Sequence, residues 1–215
     1  MFDYILFDLD GTLTDPAEGI TNSVAYALAK RGIKVSDKRQ LNCFIGPPLT
    51  ESFEKYYGLS QKEAKMAVED YREYFKPTGI FENKVYEGIP ELLSRLKAAG
   101  KTLIVATSKP EMFAKKILCH FELDHFFDFV GGATLDASRI KKADVIKYSL
   151  ENCGITNLDK CIMIGDRLHD IVGASECGMK SIGVLWGYGS KNELEEAGAH
   201  YIAEKVSDIA TFVLN

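Results

Sequence analysis

Short apolar runs alternate along the chain with segments of helical periodicity. The first run, at residues 4–7, ends abruptly at an acidic residue. A short, wholly apolar run that stops at polar residues is typical of a parallel strand buried on both faces. Comparable runs recur in the second half of the chain, clearly at 102–106, 161–164 and 181–185 and more weakly at 127–130 and 201–203.

Helical patterns separate these predicted strands. Leu92 and Leu96 share one helical face, and Gly100 is placed to end that helix. Further helices are predicted around 113–118, where Pro110 can occupy the first helical position, and around 145–150 and 171–174. Strands that alternate with helices predict an α/β fold with a doubly wound parallel sheet and a Rossmann-like core.

One long segment breaks the alternation. Between residues 16 and 83 the signals are only helical, beginning with an apolar stripe through Ile20, Val24 and Leu28. This segment is too long for a single crossover connection. We therefore predict a small all-helical cap domain at 16–83, inserted after the first strand of a catalytic core formed by 1–15 and 84–215.

Composition and charge narrow the classes of function. Hydrophobic residues make up 46% of the 215 residues and charged residues 27%, which is typical of a globular protein. The net charge is −5, and the basic run from Arg139 to Lys142 is too short to follow a nucleic-acid backbone. We expect no nucleic-acid polymer among its partners.

The cysteines and the N-terminal residues bear on localisation. Five scattered cysteines include no closely spaced pair, and their odd number favours free thiols in a reducing compartment. The first residues lack the basic segment of a signal peptide, and no apolar run has the length of a membrane span. We expect a soluble cytoplasmic protein with no membrane partner.

Polar residues that directly follow strands are candidate catalytic or ligand-binding residues, because ligands of doubly wound folds lie outside the carboxyl ends of the strands. These candidates are Asp8, Asp10, Thr107, Ser108, Asp166 and Asp170, with Lys141 and Lys142 after the weaker strand. Clustered carboxylates repel one another, and a divalent cation relieves that repulsion. Oxygen ligands without a histidine or cysteine cluster favour Mg²⁺ over zinc.

Several of these residues and motifs also have simpler structural interpretations. A calcium loop starting at Asp8 would need glycine where Leu13 stands and glutamate where Gly19 stands, so it is rejected. Taken singly, Thr107 could cap a helix and Asp166 could start one. The segment 186–189, Trp-Gly-Tyr-Gly, could border the site, but a plain turn is the favoured interpretation.

Several motifs together resemble the haloacid dehalogenase superfamily. The segment 8–15, Asp-Leu-Asp-Gly-Thr-Leu-Thr-Asp, resembles its first motif, and the segment 165–170, Gly-Asp-Arg-Leu-His-Asp, resembles its fourth. Thr107 at a strand end and a lysine before a helix resemble the second and third motifs, in the same order along the chain. The segments 44–49 and 85–88 resemble the phosphoglycolate phosphatase-like group, which carries a helical cap.

The resemblance implies roles for the catalytic residues. Asp8 would be the nucleophile, and a carboxylate needs no base for this role because it is ionised at neutral pH. Asp10 would protonate the leaving oxygen and later activate water. Thr107 would hold phosphoryl oxygens, and one lysine would neutralise charge. We favour Lys142 over Lys141 because Lys142 stands immediately before the helical run from Ala143, where the family often has proline.

The resemblance also implies the residues that bind metal and substrate. Mg²⁺ would be held by the side chains of Asp8 and Asp166 and by the backbone carbonyl of Asp10. Asp170, four residues after Asp166, would be a further ligand or a supporting partner. The residues assigned to substrate binding are Leu9, Ser108 and, in a cap loop with two prolines, Gly46.

The implied function is that of a Mg²⁺-dependent phosphatase, similar to phosphoglycolate phosphatase, which hydrolyses a small phosphorylated metabolite. A 5′-nucleotidase, a pyrophosphatase and a phosphomutase remain alternatives. A phospho-accepting receiver domain is a non-enzymatic alternative, but such domains are shorter and lack a helical insert. The sequence leaves the choice of phosphate ester open, as it does the choice between a monomer and a homodimer.

Overall fold

A computed structural model describes residues 1–136 and 138–214 of the chain. The strands of this described part are β1 Tyr4–Phe7, β2 Thr14–Asp15, β3 Lys84–Val85, β4 Thr102–Pro110, β5 Phe129–Ala133, β6 Cys161–Gly165, β7 Lys180–Val184 and β8 Tyr201–Ala203. Six of them form a sheet in the order β5-β4-β1-β6-β7-β8, in which neighbouring strands run parallel. The short strands β2 and β3 pair separately.

Helices alternate with the strands of the large sheet. The α-helices within 1–136 and 138–214 are α1 Ala17–Ala29, α2 Leu49–Tyr57, α3 Gln61–Tyr74, α4 Ile89–Ala98, α5 Glu111–His120, α6 Lys142–Asn152, α7 Leu168–Glu176, α8 Lys191–Glu196 and α9 Val206–Leu214. Short 3₁₀ segments lie at Lys38–Phe44, Asp124–Phe126 and Leu158–Lys160, and a π-helical turn at Phe75–Gly79. No helix of the described residues is both long enough and apolar enough to cross a bilayer.

Burial on both faces of the sheet explains the apolar runs. Leu6, Ile104 and Met163 belong to one apolar cluster with residues of α6 and α7. The alternate residues Ile5 and Leu103, which point to the opposite face, are also fully buried. Strands covered on both faces are apolar at every position rather than at alternate positions. The predicted fold class, a doubly wound parallel sheet with a helical insert after its first strand, is confirmed.

Two local predictions need correction. Pro110 does not begin α5; its backbone is extended, with ψ of 128°, and it ends β4, where it pairs with Ala133. Strand β5 starts at Phe129, two residues later than predicted, and follows a 3₁₀ turn at Asp124–Phe126. Apolar content alone does not reveal where such turns end.

The chain divides into two compact units, one containing residues 1–15 and the chain from Val85 onward, the other Pro16–Lys84. In the second unit α1 packs against α3, and Asp70 of α3 forms ion pairs of 2.6 Å with both Lys30 and Arg31. Ser60 and Glu63 form a reciprocal capping box at the start of α3. This unit is helical because its apolar stripes have helical spacing and its helices carry their own end signals.

Candidate active site

The candidate residues of the first unit lie at the point where the strand order reverses. From β1 the chain builds the sheet outward through β4 and β5, then returns to the other side of β1 for β6, β7 and β8. Asp8 directly follows β1, and Asp166 directly follows β6, which is its neighbour. A crevice forms at such a reversal outside the carboxyl ends of the strands, which is the usual ligand position in this architecture.

Three buried carboxylates converge at this position. Asp8, Asp166 and Asp170 each offer a carboxylate oxygen, and these oxygens all lie within 4.8 Å of one another. Burial and then the charge of Asp8 raise the pKa of Asp170 to about 6, although Lys142 opposes the shift. Burial and then the charges of Asp170 and Asp8 raise the pKa of Asp166 well above its ordinary value. Buried, mutually repelling oxygen donors fit a hard divalent cation.

Lys142 is the positive partner of this acidic cluster. Its Nζ lies 2.9 Å from Asp8 Oδ1 and 2.7 Å from Asp170 Oδ1, and it donates a hydrogen bond to the carbonyl of Ala106. Burial lowers the pKa of Lys142, but the carboxylates of Asp170 and Asp8 outweigh burial and raise it. Lys141 is exposed. Lys142 is itself the first residue of α6, so the prediction that it stands just before the helix is wrong by one residue.

The turn after β1 orients Asp8. The backbone N–H of Leu9 donates to Asp8 Oδ1 at 2.7 Å, and the carbonyl of Leu9 accepts hydrogen bonds from the backbone of the following turn. Gly11 in this turn has φ of +81°, and a Cβ there would overlap the carboxylate of Asp166. Only glycine therefore fits, both for its backbone conformation and for the close approach of the metal-binding candidate Asp166.

Asp10 forms an ion pair that was not predicted from the sequence. Its Oδ2 lies 2.5 Å from Nζ of Lys109, while its buried Oδ1 accepts no hydrogen bond within the described part of the chain. Burial raises the pKa of Asp10, although Lys109 opposes that shift. Lys109 stands two residues after Thr107, and a regular strand would place both residues on one face. The pairing of β4 with β5 is irregular between Thr107 and Pro110, so this spacing alone does not locate the side chain of Lys109.

The other predicted binding residues lie in different surroundings. Thr107 is buried, and its hydroxyl accepts a hydrogen bond of 3.2 Å from the backbone N–H of Lys109. Ser108 is partly exposed beside it. Gly46 belongs to the helical unit and has φ of +100°. Its predicted role in substrate binding stays a prediction.

The interpretation of residues 186–189 as a plain turn is wrong. Trp186 Nε1 donates to the carbonyl of Thr12 at 3.1 Å, and the backbone N–H of Tyr188 donates to Asp166 Oδ2 at 2.8 Å. The loop after β7 therefore contacts both acidic motifs. The sequence signal available for it was position, because the loop follows a strand next to β6 at the same edge of the sheet.

Comparison with known proteins agrees with this architecture and site. The family model described as haloacid dehalogenase-like hydrolase matches residues 5–184, and the chain belongs to that family. The resemblance drawn from the acidic motifs is confirmed, as is the assignment to hydrolytic enzymes.

Individual relatives cover nearly the whole chain. A 5′-nucleotidase of Pseudomonas aeruginosa is 50% identical over 93% of this chain and 90% of its own length. A phosphoglycolate phosphatase of Aquifex aeolicus is 34% identical over 86% of this chain and 85% of its own. A crystal structure described as a predicted phosphatase from Clostridium acetobutylicum superposes with a TM-score of 0.96 at 51% identity, covering 100% of this chain and 99% of that one.

Proposed function

We propose that the protein is a Mg²⁺-dependent phosphatase that hydrolyses a small phosphate monoester through a phosphoryl group carried on Asp8. The observation that carries the proposal is the surroundings of Asp8. This buried carboxylate follows the central strand β1, and its Oδ1 contacts both the Leu9 N–H and the Lys142 ammonium. We assign the attack to Oδ2, because Oδ1 carries both of these contacts.

In the first half of the proposed reaction, Asp8 Oδ2 forms a bond to phosphorus while the bond from phosphorus to the leaving oxygen breaks. Asp10 gives its proton to that leaving oxygen. The buried setting that raises the pKa of Asp10 favours the protonated form needed for this step. Lys142, in contact with Asp8, balances negative charge as the phosphoryl group arrives.

In the second half, a water molecule attacks phosphorus and passes a proton to Asp10. The bond between phosphorus and Asp8 Oδ2 breaks, which restores the carboxylate and releases inorganic phosphate. Asp10 is thereby protonated again and ready for the next ester. Lys109 keeps the Asp10 side chain beside Asp8 between these steps through its ion pair.

The acidic cluster is proposed to hold Mg²⁺. The ligands would be the side chains of Asp8 and Asp166 and the backbone carbonyl of Asp10, with Asp170 beside them. When bound, the cation would neutralise charge on the transferring phosphoryl group. The proximity of three buried carboxylate oxygens, within 4.8 Å of one another, supports this assignment.

The proposed substrate class is a nucleoside 5′-monophosphate. This choice is supported by sequence identity: the chain is 50% identical to a relative named 5′-nucleotidase and 34% identical to a relative named phosphoglycolate phosphatase. A panel of a nucleoside monophosphate, phosphoglycolate, a sugar phosphate and pyrophosphate tests this choice through kcat/KM. A higher kcat/KM for any other member of the panel would contradict the substrate assignment while leaving the proposed chemistry intact.

The chemistry is tested by Asp8→Asn, which is nearly isosteric. We expect loss of phosphate release and loss of the phosphorylated protein that acid quenching would trap in the wild type. Asp159→Asn is the matched control, because Asp159 is an exposed aspartate of the same unit. Chelation of divalent cations should abolish turnover and added Mg²⁺ should restore it. Turnover by a homogeneous Asp8→Asn protein would refute the proposal.

A further inference from the structure

The loop Trp186–Gly189 has no part in the reaction as proposed, yet it joins the two acidic motifs. Trp186 Nε1 donates to Thr12 O in the turn after β1, and Tyr188 N donates to Asp166 Oδ2 after β6. The turn and the carboxylate are far apart in sequence and are tied together by one short segment. A plain surface connection between β7 and α8 would not require either contact.

The two glycines of the loop allow this close packing. A Cβ on Gly187 would overlap the carbonyl oxygen of Gly11 and the side chain of Asp166. A Cβ on Gly189 would overlap the backbone oxygen of Asp166. Backbone therefore packs directly on backbone here, and any larger residue would push the loop away from Asp166.

Tyr188 extends the connection to a third element. Its hydroxyl donates a hydrogen bond to Asp15 Oδ1, and Asp15 ends β2. Burial raises the pKa of Tyr188, and the hydrogen bond to Asp15 raises it further, so the hydroxyl is protonated and acts as the donor. Tyr86 forms a hydrogen bond with Tyr188, and burial raises its pKa as well. Tyr188 is thus held at its backbone by Asp166 and at its hydroxyl by Asp15.

Asp15 is connected in turn to the nucleophile motif. The preceding residue, Thr14, accepts a hydrogen bond of 2.8 Å from the backbone N–H of Gly11, and its N–H donates to Leu9 O. A displacement of Asp15 would therefore be transmitted to the turn that presents Asp10 and orients Asp8. Tyr188 therefore connects Asp15, through its hydroxyl, with the carboxylate of Asp166, through its backbone N–H.

We propose that Tyr188 is a positioning residue that sets the affinity of the acidic site for Mg²⁺ by fixing the turn after β1 relative to Asp166. The inference rests on the proposed function, in which Asp8 and Asp166 hold the cation. Residues that orient metal ligands by hydrogen bonds typically change metal affinity about 10–100-fold when they are removed. Tyr188 acts through Asp15 and Asp166 and does not itself touch the cation.

The test is Mg²⁺ binding to the whole protein, measured by isothermal titration calorimetry. Tyr188→Phe removes the hydroxyl and keeps the backbone N–H that bonds Asp166. We expect Kd for Mg²⁺ to rise about 10-fold. Tyr201→Phe is the matched control, because Tyr201 lies in β8 with its ring stacked on Phe212. The Kd of the Tyr201→Phe variant for Mg²⁺ should equal that of the wild type.

The fluorescence of Trp186 provides a second measurement of Mg²⁺ binding. Trp186 is the single tryptophan of the chain, and its ring nitrogen bonds the turn after β1. Its fluorescence should therefore respond to Mg²⁺ in the wild type, with a midpoint shifted to higher concentration in Tyr188→Phe. In turnover assays, the Mg²⁺ concentration that gives half-maximal activity should rise by a larger factor than kcat falls.

A double-mutant cycle separates positioning from general destabilisation. If Tyr188 acts through Asp15, then Tyr188→Phe should have no further effect on Kd in an Asp15→Ala background. An unchanged Kd in Tyr188→Phe, or fully additive effects of the two substitutions, would overturn the inference and leave the proposed function standing. Absence of Mg²⁺ binding to the wild type would overturn both the cation assignment and the inference.

Discussion

Nζ of Lys109 lies 2.5 Å from Oδ2 of Asp10, in an ion pair whose side chains are only 6% and 12% exposed. The pair connects the strand end of β4 with the turn after β1. It fixes the orientation of the carboxylate that is proposed to donate and accept the catalytic proton. Lys109 therefore lies in direct contact with the carboxylate that is proposed to carry the catalytic proton.

Lys109→Met should reduce both activity and stability, because Asp10 would keep its burial and lose its partner. Removing one partner of a buried ion pair typically costs about 3 kcal/mol. Lys101→Met is a matched control, since its side chain is equally buried at 6% exposure, but its partner Asp3 is 49% exposed. Denaturant unfolding and kcat should separate the two variants. Equal activity in both would argue against a role for Lys109 in positioning Asp10.

Lys142→Met and Lys141→Met should differ strongly. Lys142 contacts Asp8 and Asp170, whereas Lys141 is exposed. Loss of a charged group at the reacting centre costs about 100- to 1,000-fold in kcat. We expect a loss of that size for Lys142→Met and none for Lys141→Met, measured at saturating substrate and Mg²⁺. A larger loss in the Lys141 variant would reverse the assignment.

Asp10→Asn should impair substrates according to their leaving groups. An aryl phosphate expels a stable phenolate and needs little help from an acid, whereas an alkyl phosphate depends on protonation of its leaving oxygen. The expected result is a much larger fall in kcat for the alkyl ester. Parallel measurements on one enzyme preparation serve as the internal control. Equal losses for the two esters would exclude Asp10 as the proton donor.

Gly11→Ala should abolish activity and lower stability, because the new Cβ would lie 2.5 Å from Asp166 Cγ. Gly32→Ala isolates the backbone contribution, since Gly32 has a similar φ of +74° but nothing within 4 Å of its Cβ position. The free energy of unfolding of the Gly32→Ala variant should fall by about 1 kcal/mol, and its activity should be unchanged. The free energy of unfolding and kcat of the two variants measure the difference. A similar outcome for both would show that the contact with Asp166 is unimportant.

Gly46→Ala should change the ranking of substrates if the loop around Gly46 contacts the leaving group, as its two prolines and glycine suggested. Gly58→Ala is the control in the same helical unit, because Gly58 also has positive φ, +64°, and ends α2 in open space. The measurement is kcat/KM across the substrate panel. A uniform fall across the panel in both variants would indicate loss of cap stability rather than a change in specificity.

The sheet was predictable because its physical signal is local. A strand buried on both faces is apolar at every position, so the apolar runs 4–7 and 161–164 can be recognised as strands from the sequence. Between these strands lie segments with apolar stripes of helical spacing, several of which end at a glycine, and this alternation indicates the α/β class. The ends of β4 and β5 were not predictable, because a strand continues for as long as its neighbour supplies hydrogen bonds, and Pro110 pairs with a residue of another strand.

The convergence of the acidic residues could also be predicted from the sequence. Asp8 and Asp166 each follow an apolar strand, and parallel strands bring their carboxyl ends to one edge of the sheet. The sequence alone therefore determined the fold class, the family resemblance and the carboxylates that converge. It did so because each of these features depends on residue types within a few positions of one another.

Only the tertiary structure decided which basic and aromatic groups meet those carboxylates. Lys109 contacts Asp10, which is 99 residues away in the sequence. Tyr188 contacts Asp15, 173 residues away, and Asp166, 22 residues away. Such pairings depend on strand order and on the path of a loop after its strand. Neither leaves a periodic pattern in the sequence, because a single lysine or tyrosine is compatible with many positions until the sheet has placed its neighbours.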